Sequence, residues 1–130
     1  MKRHEAREKA FQTLFQLDST EMTVEEATDH IMEGKTDQFF NLLVEGTFRN
    51  RAAIDEKLRA NLEKWSLDRL PKAERTILRL AVFELEYLED APDRVVLNEA
   101  IELSKSYGDD RSPKFVNGVL SKFTDKGITD

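Results

Sequence analysis

The sequence contains no cysteine, which excludes a disulfide framework, thiolate metal sites and a cysteine nucleophile, and suits a reducing compartment. Histidine is nearly absent too. His4 and His30 are the only two, and neither has a second histidine or a distinctive carboxylate at metal-ligand spacing. No apolar run approaches the ~18 residues of a membrane span, and the first ten residues are mostly charged, so neither a spanning helix nor a signal peptide is expected. There is no Gly-rich phosphate loop, nucleophile elbow or dinucleotide fingerprint. What these absences leave is one soluble, cytoplasmic, non-catalytic domain over residues 1–130, without cofactor or metal. A chain of 130 residues can bury about two-thirds of its unfolded surface, enough for a core of its own.

Glycine and proline are scarce, five and three, and the three prolines with Gly34, Gly108 and Gly127 fall where helices would begin and end. Arg3 to Leu17 sets Ala6, Ala10, Phe11, Leu14, Phe15 and Leu17 on one arc of a helix. Thr23-Val24-Glu25-Glu26 reads as a capping box opening a short helix that Gly34 ends. Thr36 or Asp37 caps the next, whose apolar pattern runs with a slip near Asn50 as far as Trp65. Pro71 opens a long helix ending near Leu88 or Glu89, and a further helix spans about Leu97 to Tyr107, with Gly108 as its stop. Ser112-Pro113 reads as a cap and first-turn proline, with Gly127 closing the last helix. No segment alternates like a strand. The expectation is an all-α fold of six or seven helices.

The helix from Pro71 is apolar around most of its circumference and is therefore expected at the centre. Glu84 falls inside its apolar arc, where a carboxylate needs a cation or several donors. Arg7, on the apolar stripe of the first helix, is the candidate partner.

The net charge of −6 is unevenly spread. Residues 1–10 carry Lys2, Arg3, Arg7 and Lys9 against Glu5 and Glu8, a net +2; residues 111–130 carry Arg111, Lys114, Lys122 and Lys126 against Asp125 and Asp130, again +2. The hundred residues between them hold −10, the remainder of the −6. If the two ends meet, Arg3, Arg7, Lys114 and Lys122 form one basic surface on an acidic body, suited to a phosphate backbone; otherwise these are ordinary solvated helix faces. The last helix sharpens the choice. Gly118 within Lys114-Phe115-Val116-Asn117-Gly118-Val119-Leu120 implies close approach of another helix or of a ligand. Phe115, at the edge of the apolar arc beside lysines, is either a core ring or a platform for an unpaired base.

Four segments together carry a resemblance: Ala6-Arg7-Glu8 with Ala10, Leu14 and Phe15; Glu74-Arg75 with Ile77-Leu78-Arg79-Leu80-Ala81 and Phe83-Glu84-Leu85; Val96-Leu97-Asn98-Glu99-Ala100-Ile101-Glu102-Leu103; and the Lys114–Leu120 segment. In this order and spacing the chain resembles the NusB family of bacterial transcription antitermination factors over essentially its whole length. Met22 to Thr36 carries no motif of that family. The resemblance implies two small helical bundles packed together and a non-enzymatic role. It also implies pairing with NusE, a small-subunit ribosomal protein, binding of single-stranded boxA RNA of ribosomal RNA operons, and entry into the RNA polymerase antitermination complex, with a homodimer as a further state. By matched position, Lys2, Arg3, Arg7, Lys114, Phe115 and Lys122 would contact RNA, and Phe15 and Glu74 would face NusE, away from the stacking position. The start Lys2-Arg3-His4-Glu5 is thinner in arginine than the family pattern, which bears on how strongly RNA is held without NusE. A helical protein-interaction adaptor without direct RNA binding is the alternative.

Overall fold

A computed structural model describes residues 1–124, and every regular element among them is helical. The helices are α1 (Arg3–Ser19), α2 (Val24–Met32), α3 (Gln38–Arg49), α4 (Arg51–Asn61), α5 (Lys72–Tyr87), α6 (Asp93–Tyr107) and α7 (Ser112–Ser121), with a 3₁₀ turn at Leu67–Arg69. The expected helix end at Gly127 lies outside the described residues.

Local chemistry explains most boundaries. Thr23 and Glu26 form the reciprocal capping box at α2, and the Asp37 carboxylate accepts from the Phe40 N–H at α3. Pro71 and Pro92 stand at the N-cap positions of α5 and α6. Three boundaries differ from the sequence reading. Helix α6 begins at Asp93, four residues before Leu97, because the prolyl start organises a polar first turn that apolar spacing does not reveal. Helix α4 stops at Asn61 rather than running to Trp65; Leu62 turns extended, and the chain then drops Leu67 and Leu70 into the core. Ser112 does not cap α7 but is its first residue, after Arg111. Its hydroxyl accepts from the Asp109 N–H at 2.9 Å and donates to Glu74 at 2.5 Å.

Helix α5 occupies the centre, as its apolar circumference requires. Ten of its sixteen residues are buried, and it packs against α1, α3, α4, α6 and α7. One group of helices forms around α1, α2 and α3 and a second around α5, α6 and α7. Their buried side chains merge into one continuous core, from Ala6 and Phe11 through Leu78 and Val82 to Val116 and Leu120. Gly46 permits the close contact of α3 with α5: a β-carbon there would fall 2.1 Å from Phe83 Cζ.

Within this core the Arg7–Glu84 pair spans α1 and α5 as the sequence suggested. Arg7 Nε lies 2.9 Å from Glu84 Oε1, and Nη2 lies 2.5 Å from Oε2. Glu74, at the other end of α5, is also buried and takes the Ser112 hydroxyl. Ser112→Ala would deprive both Glu74 and the Asp109 N–H of their partner. We expect a loss of about 1–3 kcal/mol in urea unfolding; stability within a few tenths of the parent would show that water substitutes fully.

Candidate nucleic-acid interface

The residues singled out from sequence do not converge on one patch. Arg3 sits at the start of α1, ion-paired with Asp90 and placed over the Phe39 ring, its guanidinium carbon 4.1 Å from the centroid. Lys2 beside it is exposed. Lys114, Phe115 and Lys122 lie instead against the segment that follows α4. The expectation of a single surface joining both termini is therefore corrected. Arg7 meets Glu84 in the second half of α5, whereas α7 starts against Glu74, ten residues earlier and ~15 Å away along the helix axis. Charge totals cannot say which helix packs beside which.

Two individual assignments also change. Arg7 is 4% exposed with its guanidinium committed to Glu84, so it cannot present charge at the surface. Glu74 is 8% exposed and hydrogen-bonded to Ser112, so it forms a groove floor, not an outward acidic contact. Nor is it remote from Phe115. Both line one groove of about 230 Å³ with Trp65, Leu70, Arg69 and Arg111. Phe15 is half-buried in a different groove of about 330 Å³, with Phe11, Gln12, Ile31, Ala73 and Tyr107. Ala73 adjoins Glu74, so the two candidate partner residues flank the start of α5.

At the start of α1, His4 Nδ1 lies 2.8 Å from Glu99 Oε1. That hydrogen bond first, and the Glu99 charge second, raise the His4 pKa above its ordinary 6.5. The raised value fixes the sign: the pair's contribution to stability is complete below about pH 6.5 and is lost as pH rises through the higher folded value. An NMR titration should place the His4 midpoint above 6.5, and Glu99→Gln should bring it back. A parent midpoint at or below 6.5 would exclude the pair in solution.

Phe115 is half-exposed, resting on the core at the edge of α7. Its ring meets that of Trp65 edge-to-face, with centroids 5.8 Å apart and planes at 78°. Trp65 is 60% exposed, far more than a large aromatic ring needs to be in a chain with so complete a core. Sequence reasoning missed it by reading Leu62–Trp65 as one more helical interval. The available signal was its position beside Lys64, as the chain's single tryptophan. A second groove, of about 280 Å³, runs on the other side of the two rings, bounded by Lys64, Lys114, Gly118 and Lys122. A β-carbon at Gly118 would have no atom within 4 Å, so this glycine admits no neighbouring helix and leaves bare backbone facing the groove.

The charges around the rings are unusual for an acidic chain. Lys64, Arg69, Arg111 and Lys114 form no ion pair among the described residues. Lys122 is held by the Asn61 carbonyl at 2.9 Å and by Glu63 at 3.4 Å. Exposed aromatic faces amid unneutralised cations suit stacked bases and their phosphates. Among the described residues no group of three or more acidic or histidine side chains is placed to hold a metal, and no helix is long and apolar enough to cross a membrane.

Comparison with known proteins gives a consistent match. The model of the NusB family matches residues 4–125. The chain is similar to the transcription antitermination protein NusB of Lysinibacillus sphaericus, with 64% identity over 126 residues, 97% of this chain and 99% of that protein. Similarity to the NusB protein of Oceanobacillus iheyensis is 53% over 123 residues, covering 94% and 98%. Among solved structures, NusB of T. maritima superposes with a TM-score of 0.89 at 34% identity, over 97% of this chain and 92% of that one. A chain in the crystal structure of antitermination factors NusB and NusE in complex with dsRNA gives a TM-score of 0.84 at 32% identity, covering 97% and 99%.

Proposed function

The chain belongs to the NusB family of transcription antitermination factors, and on that premise we propose that it binds single-stranded boxA RNA of ribosomal RNA operons jointly with NusE and joins the RNA polymerase antitermination complex in the cytoplasm. The observation that carries this reading is Phe115, half-exposed in the Lys114–Leu120 segment beside Lys64, Lys114, Arg69 and Arg111, which form no ion pair among the described residues. The ring stacks on a base, Lys114 holds a phosphate, and Lys122 borders the same groove. Lys2 and Arg3 form a second, separate contact for a strand long enough to reach the start of α1. An extended strand does not need both contacts on one patch.

NusE is placed over Phe15 and the start of α5. Phe15 supplies the apolar anchor, and Glu74 acts indirectly, its hydrogen bond with Ser112 fixing the start of α7 against α5. The acidic central segment draws a basic ribosomal protein by its field, which acts chiefly on the association rate.

The test is a titration of single-stranded boxA-type RNA with and without NusE, at two salt concentrations, against a duplex of the same sequence. Binding that strengthens with NusE, weakens with salt and prefers the single strand is expected. A NusE complex that binds neither RNA would establish the adaptor reading, and a preference for duplex would overturn the single-strand assignment.

A further inference from the structure

We propose that Trp65 is a second base-stacking residue, forming with Phe115 an aromatic ridge over which an RNA strand crosses from one groove to the other. This deepens the RNA-binding reading above and rests on it. The two rings are the wall common to both grooves. Each groove contains two cations without ion-pair partners: Lys64 and Lys114 on the α7 side, Arg69 and Arg111 on the α5 side. The carboxylates present are already engaged. Glu74 takes the Ser112 hydroxyl, Asp109 accepts the Arg111 N–H at 2.8 Å, and Glu63 pairs with Lys122. Phosphates entering the α7-side groove therefore meet net positive charge, Lys64, Lys114 and Lys122 against Glu63, whereas on the α5 side Arg69 and Arg111 are balanced by Glu74 and Asp109 and offer guanidinium donors without a net charge.

Ring geometry defines what fits on the ridge. Planes at 78° make a corner, so a flat heteroaromatic ring lying on one face sets its edge against the other ring. An unpaired nucleobase has that shape, and it has charged groups on both flanks along its backbone. A duplex does not, because its bases are already stacked. The open space over Gly118 lets the backbone come down onto α7 beside the corner. The Trp65 segment thus becomes a working wall of the RNA site, which also accounts for a 60% exposed tryptophan.

The experiment compares Trp65→Ala and Trp65→Phe with the parent, in complex with NusE, against the single-stranded boxA-type RNA. Trp65→Ala is expected to weaken RNA binding about tenfold, within the range for one base–aromatic contact. Trp65→Phe should keep most of the affinity. Melting temperature and NusE affinity should stay at parental values in both. Lys64→Ala and Arg69→Ala should each lower the salt slope by about 0.7, one phosphate contact on a single strand. RNA should also quench the Trp65 emission, read as the difference between parent and Trp65→Phe complexes. RNA affinity within twofold of the parent in Trp65→Ala, or unchanged emission at RNA saturation, would overturn the stacking role while leaving RNA binding through Phe115 intact. Loss of NusE affinity in place of RNA affinity would assign Trp65 to the protein partner and overturn it equally. A parent complex that binds no RNA removes both this inference and the reading beneath it.

Discussion

Glu84→Ala should lower the unfolding free energy by about 3–5 kcal/mol, the cost of leaving one member of a buried ion pair alone. The Arg7 and Glu84 side chains are 5% and 2% exposed, so solvent cannot replace the missing carboxylate. Burial by itself lowers the Arg7 pKa, but the Glu84 hydrogen bonds and charge, with smaller contributions from Glu99 and Asp90, together offset it, and the net shift is upward. Arginine therefore stays charged in the parent and has no neutral form to retreat to in the variant. Ile77, Leu80, Val96 and Leu103 border the pair and offer no hydrogen-bond acceptor from their side chains, while Glu99 on the same wall is bonded to His4 and lends Arg7 only a weaker charge. The Phe39 ring, 5.2 Å from the guanidinium carbon, returns only a small part through its π-face. Glu84→Gln keeps the shape and one acceptor, and should cost less, about 1–3 kcal/mol. The double variant Arg7→Leu with Glu84→Leu should recover much of the loss, because it removes both charges together. Urea unfolding of the four proteins measures the coupling. A Glu84→Ala loss below 1 kcal/mol would mean that the pair is hydrated in solution.

That pair shows what kind of information the sequence held. Glu84 was legible because a carboxylate stood inside an apolar arc, and a violated pattern demands a partner. The centrality of α5 was legible for the related reason that a helix apolar on nearly all sides must be surrounded. Boundaries set by one residue's chemistry, such as Thr23 with Glu26, could also be read directly. Tertiary placement could not. Arg7 belonged to two plausible stories, a buried partner and a surface cation, and only the packing of α1 on α5 separates them. Glu74 carried no such mark: it lies in a first turn, where acidic residues are ordinary, and its burial depends on Ser112 arriving from α7. Trp65 was hidden by a coincidence of spacing, since a loop that follows a helix can mimic the period of its last turn. The candidate RNA site is built where such long-range arrangements meet, so its motif could be named from the chain while its second wall could not.

Phe115→Ala separates stacking from packing most directly. The ring is half-buried, touches the core on one side and meets Trp65 at its edge on another. Truncation should weaken binding of single-stranded boxA-type RNA by the NusE complex by about 1–3 kcal/mol, one base–aromatic contact. A fully buried phenylalanine would cost about 3–5 kcal/mol of stability on the same change. Phe115 should cost less, because its exposed face loses no protein contact and Trp65 can settle into the vacated space. Lys114→Ala provides the matching control. It should reduce the salt slope by about 0.7 while leaving the melt unchanged, as expected when one phosphate contact to a single strand is lost. The two variants thus fail differently: Phe115→Ala loses affinity at every salt concentration, and Lys114→Ala loses it mainly at low salt. Melts and titrations on the same preparations decide the assignment. Should Phe115→Ala melt far below the parent yet bind RNA normally wherever it is folded, the ring is core and carries no base.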